Sequence, residues 1–268
     1  MNISHSVSDE IGKVVKNAGK TALTFFNSSD LHRKFKSKRD LVTEADEKTE
    51  ELLIAKLCKI DDIAFLSEEF NPDTDIGSKP LWIIDPIDGT TNFAAGIAPF
   101  AVSVAHYDGK VVDSAFCYLP VTDELFTAYL GEGAFLNGEK ITVNTDYDPM
   151  LCVAATGFAD ITHDQEENTL SVFASVIKKV RTIRRLGSAV TDLVYTAAGK
   201  FAFFYEAGLS PWDVAAGALI VKEAGGIVTD FNGGDNYITG KTIIASNPAI
   251  YKFIKNEINF YYTKTSNF

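Results

Sequence analysis

The chain has 268 residues, 46% apolar and 23% charged, an ordinary balance for a globular protein. With 25 basic and 36 acidic residues the net charge is −11, which argues against a broad nucleic-acid or anionic-membrane surface, so no direct nucleic-acid partner is expected. No segment approaches the roughly 20 consecutive apolar residues of a membrane helix, and the start M-N-I-S-H-S-V-S-D-E lacks the basic-then-apolar order of a secretory signal. The expected location is cytoplasmic, with no membrane partner.

Taken in chain order, residues 8–27 carry Ile11, Val14, Val15, Ala18, Ala22, Leu23 and Phe26 at near-helical spacing. K-F-K-S-K-R-D (34–40) reads as a polar break. A second helix is predicted from Thr43 to Ile60, with Thr43 as N-cap and Asp46 three residues on. Ala64-Phe65-Leu66 is a short strand ending at Ser67-Glu68-Glu69. From Leu81 to Val143 the pattern is strands: Leu81–Ile84, Phe100–Tyr107, Lys110–Leu119, Leu125–Leu130 and Ala134–Val143, several joined by hairpin turns. Such a succession predicts an antiparallel sheet.

After about Asp148 strands and helices alternate. Strands are predicted at Leu151–Thr156, Arg181–Leu186, Phe201–Glu206, Ile227–Asp230 and Thr242–Ala245. Helices are predicted at Glu166–Val180, Ser188–Ala198, Pro211–Ala224 and near Pro248–Ile258. Alternation of this kind predicts a mostly parallel or mixed sheet. The expected organisation is two closely packed halves, 1–147 and 148–268, without a flexible linker.

Cys58, Cys117 and Cys152 form no C-x-x-C pair, and the four histidines are scattered, with no zinc spacing. A metal here would need carboxylate ligands. The stretch W-I-I-D-P-I-D-G-T-T-N-F (82–93) offers them. An apolar run ends in Asp85 and Asp88, where uncompensated charge is costly. Pro86 stiffens the turn expected between them, Gly89 permits a close turn, and Thr90-Thr91 can open a short helix whose N–H groups face an anion. Glu68 and Asp213 also stand at ends of predicted elements. Four such acids in one crevice would repel strongly unless protons, basic partners or divalent cations intervened. Oxygen-only ligands suit Mg²⁺, or Mn²⁺, rather than Zn²⁺.

These residues carry a resemblance. D-P-I-D-G-T-T-N (85–92) and W-D-V-A-A-G-A-L-I-V-K-E-A-G-G (212–226) resemble the two signatures of the inositol monophosphatase family of metal-dependent, lithium-sensitive phosphatases. D-L-V-T-E-A-D (40–46), S-E-E (67–69), G-E-G-A-F-L-N-G (131–138), R-R-L-G-S-A (184–189) and F-Y-E-A-G (204–208) resemble other family segments, in the same order. The resemblance implies an α+β chain folded as a layered αβαβα sandwich, with an antiparallel sheet in the first half and a mixed sheet in the second. It implies a dimer, with a site between the halves holding two or three Mg²⁺ ions.

Position by position, the resemblance implies that Glu68, Asp85, the Ile87 carbonyl, Asp88 and Asp213 are metal ligands. Glu68 and Thr90 would orient the attacking water, with Asp46 assisting. Asp88, Gly89, Thr90, Gly187, Ser188, Ala189, Glu206 and Asp213 would meet the substrate, and Glu69 and Lys36 would support the site, Lys38 being the other candidate for that lysine. The implied reaction is hydrolysis of inositol monophosphate or a similar polyol or sugar phosphate by direct attack of a metal-activated water. Fructose-1,6-bisphosphatase, 3′-nucleotidase-type and histidinol-phosphate phosphatase activities are alternatives, as is a regulatory binding protein on this scaffold.

Several positions also have plain structural readings. Asp46 is a natural capping-box partner of Thr43. Glu206 ends a strand, Arg184 and Arg185 suit a solvated surface or pairing with acids, and Trp82 and Trp212 suit packing. The segment after Asn92, F-A-A-G-I-A-P-F, lacks the family's histidine and is one residue longer than its common form, a local departure in the pocket wall.

Overall fold

A computed structural model describes residues 5–28, 33–35, 41–159 and 166–262. In chain order the elements are α1 His5–Phe25, β1 Arg33–Phe35, β2 Leu41–Thr43, α2 Glu44–Leu57, β3 Ala64–Ser67, β4 Leu81–Asp88, α3 Thr90–Ala94, β5 Ala101–Tyr107, β6 Val112–Leu119, β7 Glu124–Tyr129, β8 Gly133–Leu136 and β9 Glu139–Ile141. A 3₁₀ turn at Pro149–Leu151 then leads to β10 Val153–Thr156, α4 Glu166–Val176, β11 Thr182–Arg184, α5 Ala189–Ala197, β12 Phe203–Ala207, α6 Pro211–Glu223, β13 Ile227–Thr229, β14 Thr242–Ser246 and α7 Tyr251–Tyr262.

Strands β3 to β9 form a seven-stranded sheet in sequence order, antiparallel except for the parallel β3–β4 pair. The second sheet has five strands in the order β11-β10-β12-β14-β13 and is mixed.

Alternation along β4 sorts the layers, because successive side chains leave opposite faces of a strand. Trp82 and Ile84 join Val102, Val104, Phe116 and Tyr118 against Ile11, Val15 and Ala18 of α1 and Leu53 and Leu57 of α2. Leu81 and Ile83 face the other way, into a core with Val190, Leu193 and Val194 of α5 and Val214, Ala218 and Val221 of α6. That same core takes Ala155, Phe204 and Ala245 from the five-stranded sheet. Beyond it Phe203, Tyr205 and Ile244 pack on Val172 and Val176 of α4 and Ile254 and Ile258 of α7. Helices, sheet, helices, sheet, helices: this is an αβαβα sandwich, with α5 and α6 shared between the sheets.

Local rules account for the helix starts. Thr43 caps α2 through a hydrogen bond from the Ala45 N–H to its Oγ1, and Asp46 Oδ2 accepts the Thr43 N–H at 2.9 Å, completing the capping box. Helix α6 opens in the same way, with Ser210 as cap, Pro211 in its first turn and Asp213 at the third position.

Three elements differ from expectation. The polar break at 34–40 is flanked by a two-stranded ladder, β1 pairing with β2 from Arg33↔Thr43 to Phe35↔Leu41. The strand predicted over 134–143 is a hairpin, because Asn137 and Gly138 take left-handed conformations between β8 and β9. Strand β4 does not stop at Ile84. It continues to Asp88, and the turn expected at Pro86 is a bulge inside the strand.

Candidate active site

The bulge builds the site. Asp85 pairs with Ser103 and Asp88 with Ala101, so three steps on β4 oppose two on β5. Positions 85 and 88 would fall on opposite faces of a regular strand; one extra residue returns them to the same face. Pro86 suits that place because it has no N–H to give the ladder. Ile87 packs with Ala22, Ala45, Phe93 and Phe100 on the α1–α2 side. Its N–H donates to Asp85 Oδ1 at 2.9 Å.

Asp213 enters from α6, where Ser210 N–H donates to its Oδ2 at 2.7 Å. One ligand oxygen from each of Asp85, Asp88 and Asp213 lies within 4.8 Å of the others. Asp85 is 1% and Asp88 8% exposed. Burial, followed by the repulsion of Glu68, Asp88 and Asp213, holds Asp85 well above the usual carboxylate range. Burial and then Asp88 and Glu68 do the same to Asp213. Asp88 is pushed up to about 6 by burial, against the pull of the Ser188 hydroxyl and the amides of Val190, Ala189 and Thr191. The α5 N-terminus thus holds one Asp88 oxygen, through Val190 N–H at 2.8 Å and the Ser188 hydroxyl.

Glu68 follows β3, its N–H donating to the Ile84 carbonyl at 3.3 Å. It is close enough to raise Asp85 and Asp213, but its oxygens are not in the three-acid cluster. Glu50, unassigned from sequence, sets this turn. Fully buried on α2, it accepts the Glu69 and Phe70 N–H groups at 2.9 Å and the Ser67 hydroxyl. Only its burial at helical spacing from Asp46 and Leu53 could have marked it.

Asp46 both caps a helix and faces the site. Its Oδ2 binds Thr43, while its Oδ1 lies 3.2 Å from the Thr90 hydroxyl, which is also 3.0 Å from the Ile87 carbonyl. Burial raises the Asp46 carboxyl to about 7 despite the Thr43 bonds, with Glu69 adding to the rise. Gly89 turns the chain at φ 91°, a left-handed conformation that glycine adopts without strain, and a side chain there would press on the Gly187 carbonyl 3.1 Å away. Asn92 joins the two sheets' loops, its amide donating to the carbonyls of Pro99 at 2.8 Å and Leu186 at 2.7 Å.

On the far side a cavity of about 190 Å³ is lined by Asp88, Arg185, Gly187, Ser188, Ala189, Asp192, Glu206 and Asp213 among others. Glu206 is 7% exposed and not an open strand edge; Ala159 N–H donates to its Oε1 at 3.1 Å, and burial lifts it to about 8. Gly157 makes room for it, since a methyl there would lie 2.2 Å from both carboxylate oxygens. Arg185 lines the cavity, whereas Arg184 is exposed and bonds Thr182. Trp82 is core, fully buried edge-on to His106. Trp212 is half-buried and packs against the core that α5 and α6 share. Lys36 and Lys38 lie outside the described residues.

The donor set is chemically specific. The buried carboxylates of Asp85 and Asp88 meet the half-buried one of Asp213, so the three need a hard cation or protons to coexist. The residues present therefore fit a divalent ion such as Mg²⁺. No helix among the described residues is long and apolar enough to cross a membrane.

A layered sandwich in which strand β4 and helix α6 bring acids to one oxygen-only, cation-ready cluster defines a class of metal-binding α/β protein. The sequence matches the inositol monophosphatase family over residues 3–261, and the chain belongs to that family. It is 37% identical over 259 residues to the Nus factor SuhB of Pasteurella multocida (strain Pm70), covering 96% of this chain and 95% of that one. It is 38% identical over 230 residues to the inositol-1-monophosphatase of Mesorhizobium japonicum, 85% and 86% of the two chains. The crystal structure of extragenic suppressor protein suhB from Bartonella henselae superposes with a TM-score of 0.88 at 36% identity, over 94% of this chain and 98% of that chain.

Proposed function

We propose that the chain is a Mg²⁺-dependent phosphomonoesterase acting on inositol monophosphate or a similar small polyol or sugar phosphate. The observation that carries this reading is the convergence of Asp85, Asp88 and Asp213 within 4.8 Å beside a polar-walled cavity. The name inositol-1-monophosphatase, borne by the M. japonicum relative, supports the substrate class.

In this reading Asp85, Asp88 and Asp213, with Glu68 and the Ile87 carbonyl, hold the ions. Magnesium, when bound, supplies Lewis-acid stabilisation of the phosphoryl charge and acidifies water. The residues do the rest. The amides of Gly89 and Thr90 meet the phosphate, and Glu68 and Thr90 orient the attacking water. Thr90 Oγ1 takes a proton from the water as it gives its own to Asp46 Oδ1, 3.2 Å away. Gly187, Ser188, Ala189 and Glu206 form the wall for the alcohol that leaves, and Glu69 and Lys36 support the site. The halves 1–147 and 148–268 work as one body around this pocket, in a homodimer.

Phosphate release from myo-inositol 1-phosphate, fructose 1,6-bisphosphate, adenosine 3′,5′-bisphosphate and histidinol phosphate, each with Mg²⁺, tests the reading. Release that is greatest from the inositol ester is expected, and a folded, Mg²⁺-supplied protein inert on all four would refute it. A second reading, a regulatory binding protein on the same scaffold, is favoured by the name Nus factor SuhB of the P. multocida relative. It does not require the acids, so a binding role would survive Asp85→Asn while hydrolysis would not.

A further inference from the structure

One buried acid has no part in the chemistry above. Asp192 lies in the first turn of α5, one helical turn beyond Ser188, whose hydroxyl binds Asp88. It is 1% exposed, yet it lines the cavity with Arg185 and Glu206. Its Oδ1 has no hydrogen-bond partner among the described residues. The apolar face of α5 is Val190, Leu193, Val194 and Ala197, and Asp192 stands off that face, beside Ser188, Ala189, Tyr195 and Thr196.

An unmatched buried oxygen is expensive in either protonation state, and native chains seldom keep one without a use. The groups facing Asp192 are Glu206 and Asp88, which repel it, and Arg185, which attracts it. None donates to its Oδ1. The Asp192 side chain borders the cavity, and that is the side from which a donor outside the chain would approach it. Beside the Asp88 and Asp213 carboxyls, the cavity of about 190 Å³ therefore offers two further carboxyls, of Asp192 and Glu206, and the Arg185 guanidinium. A polyol matches that wall, because each hydroxyl both donates and accepts. A phenol or a simple alkyl alcohol brings no hydroxyl beyond the one that carries the phosphate.

We infer that Asp192 is a specificity-determining residue, its carboxyl taking a hydrogen bond, directly or through one water, from a hydroxyl of the departing alcohol and so selecting polyol phosphates over simple aryl or alkyl phosphates. The inference rests on the phosphomonoesterase reading. A site built to bond a substrate hydroxyl discriminates against the analogue that lacks it more strongly than shape alone can.

The test is Asp192→Leu, close to Asp in length and free of polar atoms, assayed with Mg²⁺ on myo-inositol 1-phosphate and on phenyl phosphate. The expected result is a loss of about tenfold in kcat/KM on the inositol ester, mostly in KM, with phenyl phosphate unchanged. Removing the orphan oxygen should leave the melting temperature equal or higher, which a purely structural acid would not do. Asp192→Ala, which adds no bulk, serves if leucine is not accommodated, with the same expectation. Equal losses on both esters, or no loss on either, would overturn the inference while leaving the hydrolase reading intact. A wild-type protein inert on both esters would overturn the hydrolase reading and the inference with it.

Discussion

Asp85 and Asp88 stand on one face of β4 because the strand carries an extra residue between them, and their carboxylates meet Asp213 within 4.8 Å. Asp85 and Asp88 are buried, Asp213 is half-buried, and Asp85 and Asp213 are each raised by repulsion from the neighbouring acids. The metal-free site is therefore a place where folding is opposed, and the protein should gain stability when one charge is removed. Asp85→Asn should raise the melting temperature of the metal-free protein by several degrees, on the order of 1–2 kcal/mol. The same change should lower phosphate release by about a thousandfold. Thermal melting and steady-state assay of one preparation check both signs.

The pH dependence follows from the same burial. Asp46 sits at about 7 and Glu206 at about 8, against ordinary values of 3.8 and 4.5. Both are raised, so the folded chain keeps protons that the unfolded chain has released. That stabilisation is complete below the ordinary values and is lost as pH rises through about 7 and about 8. Metal-free protein should melt at progressively lower temperature as pH climbs through this window. Saturating Mg²⁺ should flatten or reverse the trend, since cation and proton compete for the carboxylates. A melting series with and without Mg²⁺ measures it.

Gly157 is the seat of the Glu206 carboxylate. A methyl at that position would lie 2.2 Å from both oxygens, so Gly157→Ala must displace the acid and break its bond from Ala159 N–H. The expected effect is a rise of about tenfold in KM for a polyol phosphate, with kcat changed far less. Steady-state kinetics separates the two.

Thr90 provides a test of the water-orienting arrangement. Its hydroxyl lies between Asp46 Oδ1 at 3.2 Å and the Ile87 carbonyl at 3.0 Å. Thr90→Val keeps the shape and removes the hydroxyl; kcat should fall by about a hundredfold or more. Thr90→Ser should restore most of it. An equal loss in both variants would assign Thr90 to packing instead.

Much of this was legible in the residues. Leu81–Ile84 already read as an apolar strand, and Thr43 with Asp46 already read as a capping box. The acids of 85–88 could be placed at a strand end, but not on a common face. Their three-residue separation points the other way, and only the pairing with β5 reveals the bulge. Glu50, Gly157 and Asp192 stayed unread for a related reason. Each acquires its role from a partner far along the chain: the turn at Ser67–Phe70, the Glu206 carboxylate and the cavity wall. Local spacing fixes elements, whereas these contacts arise only when two sheets close on α5 and α6.

The proposed function requires the acid cluster to hold a divalent cation for phosphomonoester hydrolysis. Phosphate release from myo-inositol 1-phosphate, followed while EDTA is added and Mg²⁺ then restored in excess, tests it most directly. Loss with EDTA and recovery with Mg²⁺ are expected in the native chain, and neither in Asp213→Asn. Release indifferent to EDTA, or undiminished in Asp213→Asn, would contradict it.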